Sequence, residues 1–374
     1  MRVSCSQENL SKGLGIVSRA VATRTTLPIT GNVLLSAEDS RLRLSATNLE
    51  VYISCWVPAT VEEEGAITVP ARLLSELVAS LPNQLIDMNL PEEGKVLELT
   101  CARNTAKLGG LPASDFPATP SFSDGTVTSI DPEILHTSIG RVAFAAATDE
   151  SRPVLTGVLM QLEGGEMTMA AADGFRLAVQ RVPIIDPVSN TLSIIVPSRS
   201  LAELSRLLGD DKEPVQMMVS SNQNQVFFHL KNADMISQLM QGTFPNYSQL
   251  IPKEHTTRAV VELTELQRAI RTASIFARDG SGIIRLQVEN GAEGKLIISS
   301  RAEEIGEHEG QLDVVVEGEP MKIAFNNRYL GEVLNVLDSK EVALETTTPS
   351  SPGVIKPVDS DDYTHVVMPM FVQW

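Results

Sequence analysis

Positive charge is scarce in this 374-residue chain: 30 lysines and arginines face 47 aspartates and glutamates, a formal charge of −17. Proteins that grip phosphate backbones usually carry a basic surplus, so the composition at first sight argues against nucleic acid. Long apolar runs are missing too. No uninterrupted stretch approaches the ~18 residues of a membrane span, and Met1 to Glu8 hold no apolar signal core; the expectation is a cytoplasmic protein that stays out of the membrane. Cys5, Cys55 and Cys101 are far apart and lack metal-ligand spacing, which predicts reduced structural thiols. There is no GxxxxGK[ST] loop, no HExxH and no GxSxG elbow. The five histidines are scattered, and His365, beside Asp361 and Asp362, reads as a solvated loop residue. Asp173-Gly174 reads as a turn rather than a metal ligand. The expectation is a non-enzymatic protein with no cofactor and no metal.

What the chain does have is a phrase used three times: Val69-Pro70-Ala71-Arg72-Leu73-Leu74, Val196-Pro197-Ser198-Arg199-Ser200-Leu201 and Phe325-Asn326-Asn327-Arg328-Tyr329-Leu330. The arginines are 127 and 129 residues apart, about a third of the chain, which is the mark of one structural unit repeated in tandem. Phe116-Pro117 and Phe244-Pro245 keep the same beat. Each unit opens with apolar groups on a helical stripe: Leu10, Leu14 and Val17; Leu135, Ile139 and Val142; Leu266, Ile270 and Ala273. Six helices are expected, at 8–22, 72–82, 132–146, 198–208, 262–278 and 326–338. Short strands such as Arg41–Ala46, Glu166–Ala171 and Lys295–Ser299 fill most of the rest, bounded by turn residues. The fold class is therefore α+β: three tandem similar domains, 1–125, 126–253 and 254–374, with helices on one face of antiparallel sheets.

Charge is distributed unevenly over that frame. The six expected helices sum to +2, so the remainder carries −19 of the total −17. A near-neutral to slightly basic helical surface thus sits on a strongly acidic scaffold. The last residues, Val366 to Trp374, are apolar where chain ends are usually polar and frayed. Val366-Val367 suits a buried terminal strand, while Met368 and Met370 suit a surface groove that accepts apolar anchors.

Several phrases together resemble a known family: Thr26-Leu27-Pro28-Ile29-Thr30-Gly31-Asn32, Thr68-Val69-Pro70-Ala71-Arg72, Ala172-Asp173-Gly174-Phe175-Arg176-Leu177-Ala178, Phe244-Pro245-Asn246-Tyr247 and Val366-Val367-Met368-Pro369-Met370. In order and spacing the chain is similar, from end to end, to the bacterial sliding clamps, the beta subunits of DNA polymerase III. The resemblance implies a clamp fold closed by head-to-tail dimerisation, with helices lining the inside of a ring around duplex DNA and sheets outside. It implies a processivity role without catalysis. The implied partners are double-stranded DNA read without sequence preference, the polymerase III catalytic subunit, the clamp loader, and other polymerases and repair proteins that dock through short apolar peptides.

The resemblance also implies sites. The partner-peptide groove corresponds to Leu155, Ala172, Gly174, Phe175, Arg176, Leu177, Pro245, Val366, Val367, Met368, Pro369 and Met370. The DNA-facing residues correspond to Arg24, Arg72, Arg152 and Arg199. Helix placement alone adds Lys12, Arg141, Arg206, Arg268 and Arg271. The dimer seam corresponds to Leu108 with Ile275 and Phe276. Ala172 and Phe175 stand where several relatives carry polar groups, Ala106 where an aromatic is known, and Phe371 where a basic residue is common. Gln373-Trp374 extend the usual ending.

Overall fold

A computed structural model describes residues 1–22, 26–91, 94–120, 124–209, 212–278, 281–291, 293–302 and 306–374. Arg24 lies outside the described residues. Among the described residues six α-helices form, α1 Gln7–Val17, α2 Ala71–Ser80, α3 Pro132–Val142, α4 Ser198–Leu208, α5 Leu263–Arg278 and α6 Asn327–Val336. Their starts are set by local chemistry. Ser6 Oγ accepts from the Asn9 amide at 3.2 Å to cap α1, and Asn326 Oδ1 accepts from the Arg328 amide at 2.9 Å to cap α6. The windows 8–22 and 132–146 overran, because each helix tightens into a 3-10 turn, at Ser18–Ala20 and Ala143–Ala145.

The described residues divide into two compact units. The first joins Met1–Glu133 to Glu203–Leu239. It holds a five-stranded sheet ordered Thr60–Glu63, Arg2–Ser6, Leu85–Asn89, Val96–Cys101, Asn104–Gly109. It also holds a nine-stranded sheet whose centre pairs Val51–Pro58 with Ala233–Gln238, Val51 opposite Ser237 and Cys55 opposite Ala233. Four strands of the middle third, Gly125–Ile130, Val215–Ser220, Gln225–His229 and Ala233–Gln238, thereby complete a sheet begun by the first. α1 lies on this sheet with Leu10, Leu14 and Val17 buried. Gly13 allows the approach: a Cβ there would come within 2.6 Å of Val57 and 2.8 Å of Leu44. Burial lifts the Cys5 and Cys55 thiols to about 12, so neither forms a reactive thiolate.

The second unit joins Ile134–Ala202 to Met240–Trp374. Its seven-stranded sheet pairs Arg176–Gln180 with Tyr363–Val367, Arg176 opposite Val367 and Gln180 opposite Tyr363. This sheet joins the middle third to the last third as the nine-stranded sheet joins the first two. A four-stranded sheet, ordered Gly306–Asp313, Lys295–Ala302, Ile283–Glu289, Met321–Asn326, buries one face under Leu266, Ile270, Ala273 and Ala277 of α5. Ser300 Oγ donates to the Ala273 carbonyl at 2.7 Å and fixes that contact.

Among the described residues every strand pair is antiparallel, as expected. Two edges stand out. Among the described residues Asn104–Gly109 pairs only with Val96–Cys101, and Gly306–Asp313 only with Lys295–Ala302. One expectation is corrected: His365 is not a solvated loop residue. It sits in strand Tyr363–Val367, fully buried, because alternation along that strand turns it inward while Thr364 faces out.

Candidate functional site

An apolar site forms in the second unit where Arg176–Gln180 meets the C-terminal strand. Leu155, Ala172, Leu177 and Val366 pack with Ala147, Leu159, Ala170, Val179, Ile195, Phe244 and Val354, and Val154, Met240, Tyr247 and Ile251 close over the rim. Strand periodicity sorts the expected residues by face. Leu177 is opposite Val366 on one face; Arg176 is opposite Val367 on the other. Arg176 and Val367 therefore support the wall from behind rather than line it. Phe175 (57 % exposed) and Met368 (43 %) remain at the surface, tied by the Met368 amide donating to the Phe175 carbonyl at 2.8 Å. Pro245 is exposed beside Phe244. The Met370 amide donates to the Ala324 carbonyl at 2.7 Å, which ties this part of the chain end to strand Met321–Asn326. Val154, Met240, Tyr247, Ile251 and Val354 were missed by sequence reasoning. Phe244 had been visible through its repeat partner Phe116, a signal that pointed to the site without being used for it.

A tight turn presents Phe175. Asp173 Oδ1 accepts from the amides of Phe175 at 2.9 Å and Arg176 at 3.0 Å, and Gly174 takes φ +95°, as the turn expectation required. A side chain at 174 would also collide with the Arg152 guanidinium, 2.9 Å from the ideal Cβ position. Arg152 itself donates to the Asp173 carbonyl at 3.0 Å.

Behind the wall, Arg176 is the hub of a buried polar cluster. It donates to Asp173 Oδ2 at 3.0 Å, to the Phe144 carbonyl at 2.7 Å and to Glu332 of α6, and lies over the rings of Phe144 and Tyr329. A guanidinium so placed has its charge matched and its donors used, which is what makes burial tolerable. Burial alone would raise the Glu332 carboxyl, but hydrogen bonds from Arg328 and Arg176 outweigh it and hold the group below its ordinary range. Phe175 stacks on Tyr329 with centroids 6.5 Å apart. His365 stacks on Phe144 at 5.5 Å. Desolvation, aided by the Arg176 charge, lowers its pKa to about 3, so the imidazole is neutral and does no proton transfer at neutral pH. Arg141 pairs with Asp338 and donates to Gln180 at 3.2 Å; it is committed to this cluster.

The first unit carries a counterpart of the site. Ile29, Tyr52, Phe116 and Ile236 cluster with Leu34 and Phe227 against them. Its turn is built the same way: Asn48 Oδ1 accepts from Glu50 at 3.0 Å and Val51 at 2.8 Å, with Leu49 at φ +77°. Here the larger Tyr52 takes the place of Leu177, its hydroxyl 2.7 Å from Thr119 Oγ1. One geometry is thus used twice, filled from within at one junction and left with exposed Phe175 and Met368 at the other.

Comparison with known proteins gives this arrangement its family. Profiles of the N-terminal, central and C-terminal domains of the DNA polymerase III beta subunit match residues 1–120, 129–246 and 248–371. The beta sliding clamp of Synechococcus elongatus is 31% identical over 373 residues, covering 99% of both chains, and that of Staphylococcus aureus is 30% identical over 362 residues, covering 94% of each. This chain belongs to the bacterial beta sliding clamp family. Crystal structures agree: the sliding clamp of Bacillus subtilis superposes with a TM-score of 0.95 at 28% identity, and that of Pseudomonas aeruginosa with 0.91 at 32%, each covering 100% of both chains. A further Pseudomonas aeruginosa clamp was solved bound to griselimycin. The chain has the three-domain clamp fold, and its role is that of a DNA sliding clamp in replication.

The remaining expected residues of this clamp fall as follows. Arg72 (side chain 91 % exposed) reaches Glu76 at 2.8 Å along α2. Arg199 is exposed at the start of α4, and Arg268 and Arg271 are exposed on α5. Lys12 pairs with Glu8 at 2.6 Å, and Arg206 with Glu203. With the observed helix ends, the basic surplus resides in α5, where Arg268, Arg271 and Arg278 face Glu265, and in α4. Leu108 is already buried within its own unit. Ile275 is 56 % exposed, and Phe276 stacks on His308 of the edge strand Gly306–Asp313 with centroids 5.9 Å apart.

Proposed function

We propose that the clamp is a head-to-tail homodimer that encircles duplex DNA and tethers the replicative polymerase through the apolar site at Leu177 and Val366. The observation that carries this reading is the pair of unused sheet edges. Strand Val51–Pro58 pairs with Ala233–Gln238, and Arg176–Gln180 with Tyr363–Val367, at corresponding points of successive repeats. The strands at the next corresponding points are Gly306–Asp313 and Asn104–Gly109, and each has a vacant side among the described residues. Pairing them between two copies repeats the same junction a third time and closes both of these edges. Ile275 and Phe276 beside one edge, and Leu108 within the other, make the seam's apolar contacts.

On this reading the three domains are 1–125, 126–253 and 254–374. The exposed arginines of α2, α4 and α5, with Arg24 and Arg152, meet phosphate without reading bases, and the acidic remainder keeps DNA off the outside. Enclosure, rather than affinity, retains the ring. The protein acts in the cytoplasm as a non-catalytic subunit, and no described helix is long and apolar enough to cross a membrane. The catalytic subunit, the clamp loader and repair polymerases present apolar peptides to the site at Leu177 and Val366, where Phe175 and Met368 stay exposed beside an apolar cluster. The test is retention on nicked circular DNA followed by linearisation. Loss of the clamp from the cut molecule supports a sliding ring; equal retention on circular and linear DNA refutes it.

A further inference from the structure

Pro153 opens a 3-10 turn, Pro153–Thr156, that delivers Val154 and Leu155 to the apolar site. The Leu155 amide donates to the Arg152 carbonyl at 3.0 Å, so the backbone of Arg152 belongs to the segment that supplies one wall. Its side chain serves another. Nη2 donates to the Asp173 carbonyl at 3.0 Å, and Nη1 and Nη2 stand 2.9 and 3.2 Å from where a Cβ at position 174 would be. That approach exists only because residue 174 is glycine, which also takes its φ of +95° without strain. The next residue is Phe175, whose amide is held by Asp173 Oδ1 at 2.9 Å and whose carbonyl is held by the Met368 amide at 2.8 Å. Arg152 adds a tie from this turn to the segment that carries Leu155.

The first unit repeats this construction without the arginine. Leu27 precedes the 3-10 turn Pro28–Gly31 as Arg152 precedes Pro153–Thr156, and the Thr30 amide donates to the Leu27 carbonyl at 3.0 Å. Leu49, at φ +77°, stands where Gly174 does. Neither leucine side chain can donate to a carbonyl, and at that junction Tyr52 fills the cluster from within. Arginine and glycine thus occur together at the junction whose site stays open, with Phe175 and Met368 exposed. We propose that Arg152 is a positioning residue of the peptide site, fixing the turn that presents Phe175 relative to the wall at Leu155. The inference rests on the apolar site being a peptide site. Without the tie, a partner would have to order the turn as it binds, and affinity falls by that cost. Holding Asp173 occupies part of a guanidinium with five donors, so this role adds to the phosphate contact proposed above.

A fluorescein-labelled peptide with Leu and Phe anchors and no charged side chain tests it by fluorescence anisotropy on the full chain; with no acidic residue in the peptide, a direct ion pair to Arg152 plays no part. Arg152→Gln is expected to lower affinity about tenfold, the effect of losing a hydrogen bond from a charged donor, and Arg152→Lys, which can still donate to the Asp173 carbonyl, to recover most of it. In a Phe175→Ala background Arg152→Gln should cost less than about twofold, because the group it positions is gone. Amide hydrogen exchange read by NMR needs no peptide: in Arg152→Gln, exchange at Phe175 and Arg176 should rise about tenfold, while strand Tyr363–Val367 exchanges as in the wild type and shows that the variant is folded. Unchanged affinity in Arg152→Gln overturns the proposal, as does an equal loss with and without Phe175, or unchanged exchange at Phe175. A wild type that binds no such peptide refutes the peptide site instead, and exchange at Phe175 then decides by itself whether Arg152 holds the turn.

Discussion

Acidification should destabilise the second unit through one buried residue, and the size of the effect follows from where His365 sits. Its ring stacks on Phe144, its Nδ1 is 3.4 Å from the Tyr363 hydroxyl, and its Nε2 is buried with no hydrogen-bond partner among the described residues. Arg176 and Arg141 supply positive charge on the same side of the sheet. A proton added to the folded protein meets both desolvation and repulsion, which is why the pKa falls from 6.5 to about 3. Because the folded value is depressed, stability from the neutral ring is fully present above the unfolded pKa near 6.5 and is lost as pH falls from there toward 3. Linkage gives a loss of about 2 kcal/mol between pH 7 and pH 5, or about 4–8 °C in Tm for a unit of this size. His365→Phe keeps an aromatic ring against Phe144 and removes the titration, so the gap between its Tm and that of the wild type should shift by that amount over the same pH range. The ring can also be watched directly: its NMR signals should not titrate between pH 8 and pH 4.5 in the folded protein. A midpoint near 6.5, or parallel pH profiles of the two proteins, would refute the reasoning.

Phe175→Ala removes a mostly exposed ring that rests on Tyr329; melting should be unchanged within about 0.5 kcal/mol, while titration calorimetry with an apolar partner peptide shows affinity falling by about 1–2 kcal/mol. Ile275→Asp places a charge beside the edge strand, and with about 1.4 kcal/mol lost at each of two seams the dimer Kd should rise about 100-fold, read by sedimentation at graded concentration. Arg72→Gln/Arg199→Gln should leave that Kd alone and flatten the salt dependence of binding to short duplex DNA, by about 0.9 in log–log slope for each phosphate contact removed; an unchanged slope would take both residues off the DNA face.

The repeat was legible because it is written in residues with a local job. Pro70 and Pro197 open helices and Asn326 caps one, so the phrases around Arg72, Arg199 and Arg328 land on the starts of α2, α4 and α6. The Asp173-Gly174 turn was legible for the same reason, since an Asx turn and a positive φ are properties of four adjacent residues. What local pattern could not supply was the facing of strand residues across the second unit. The resemblance puts Arg176 among the groove residues, yet its donors are used by groups from position 144 and from position 332, 156 residues away in the second case. His365 was misread likewise: the aspartates before it are solvated, and only pairing with Arg176–Gln180 reveals that it points into the core. Helix length was overestimated at α1 and α3 because apolar periodicity continues through the 3-10 turns.

Charge on the two vacant edges bears on which way copies join. Gly306–Asp313 carries Glu307, Glu309 and Asp313, all exposed, and presents like charges to a second copy of itself. Asn104–Gly109 follows Arg103 and contains Lys107; Lys107 is held at 2.6 Å by Glu98 of the neighbouring strand, which fixes it near the edge without burying it. In the proposed dimer the acidic edge repels its own kind, so pairing it across a two-fold axis is disfavoured and contact with the edge that carries Lys107 is favoured. A contact between unlike edges is heterologous, and such contacts either propagate into a filament or close into a ring. Closure needs each chain to supply one edge of each sign and the same turn at every junction. In the proposed ring the triplication supplies both: the repeats pair at corresponding strands, Val51–Pro58 and Arg176–Gln180, and the first and last repeats carry the edges that hold Lys107 and the acidic Glu307, Glu309 and Asp313.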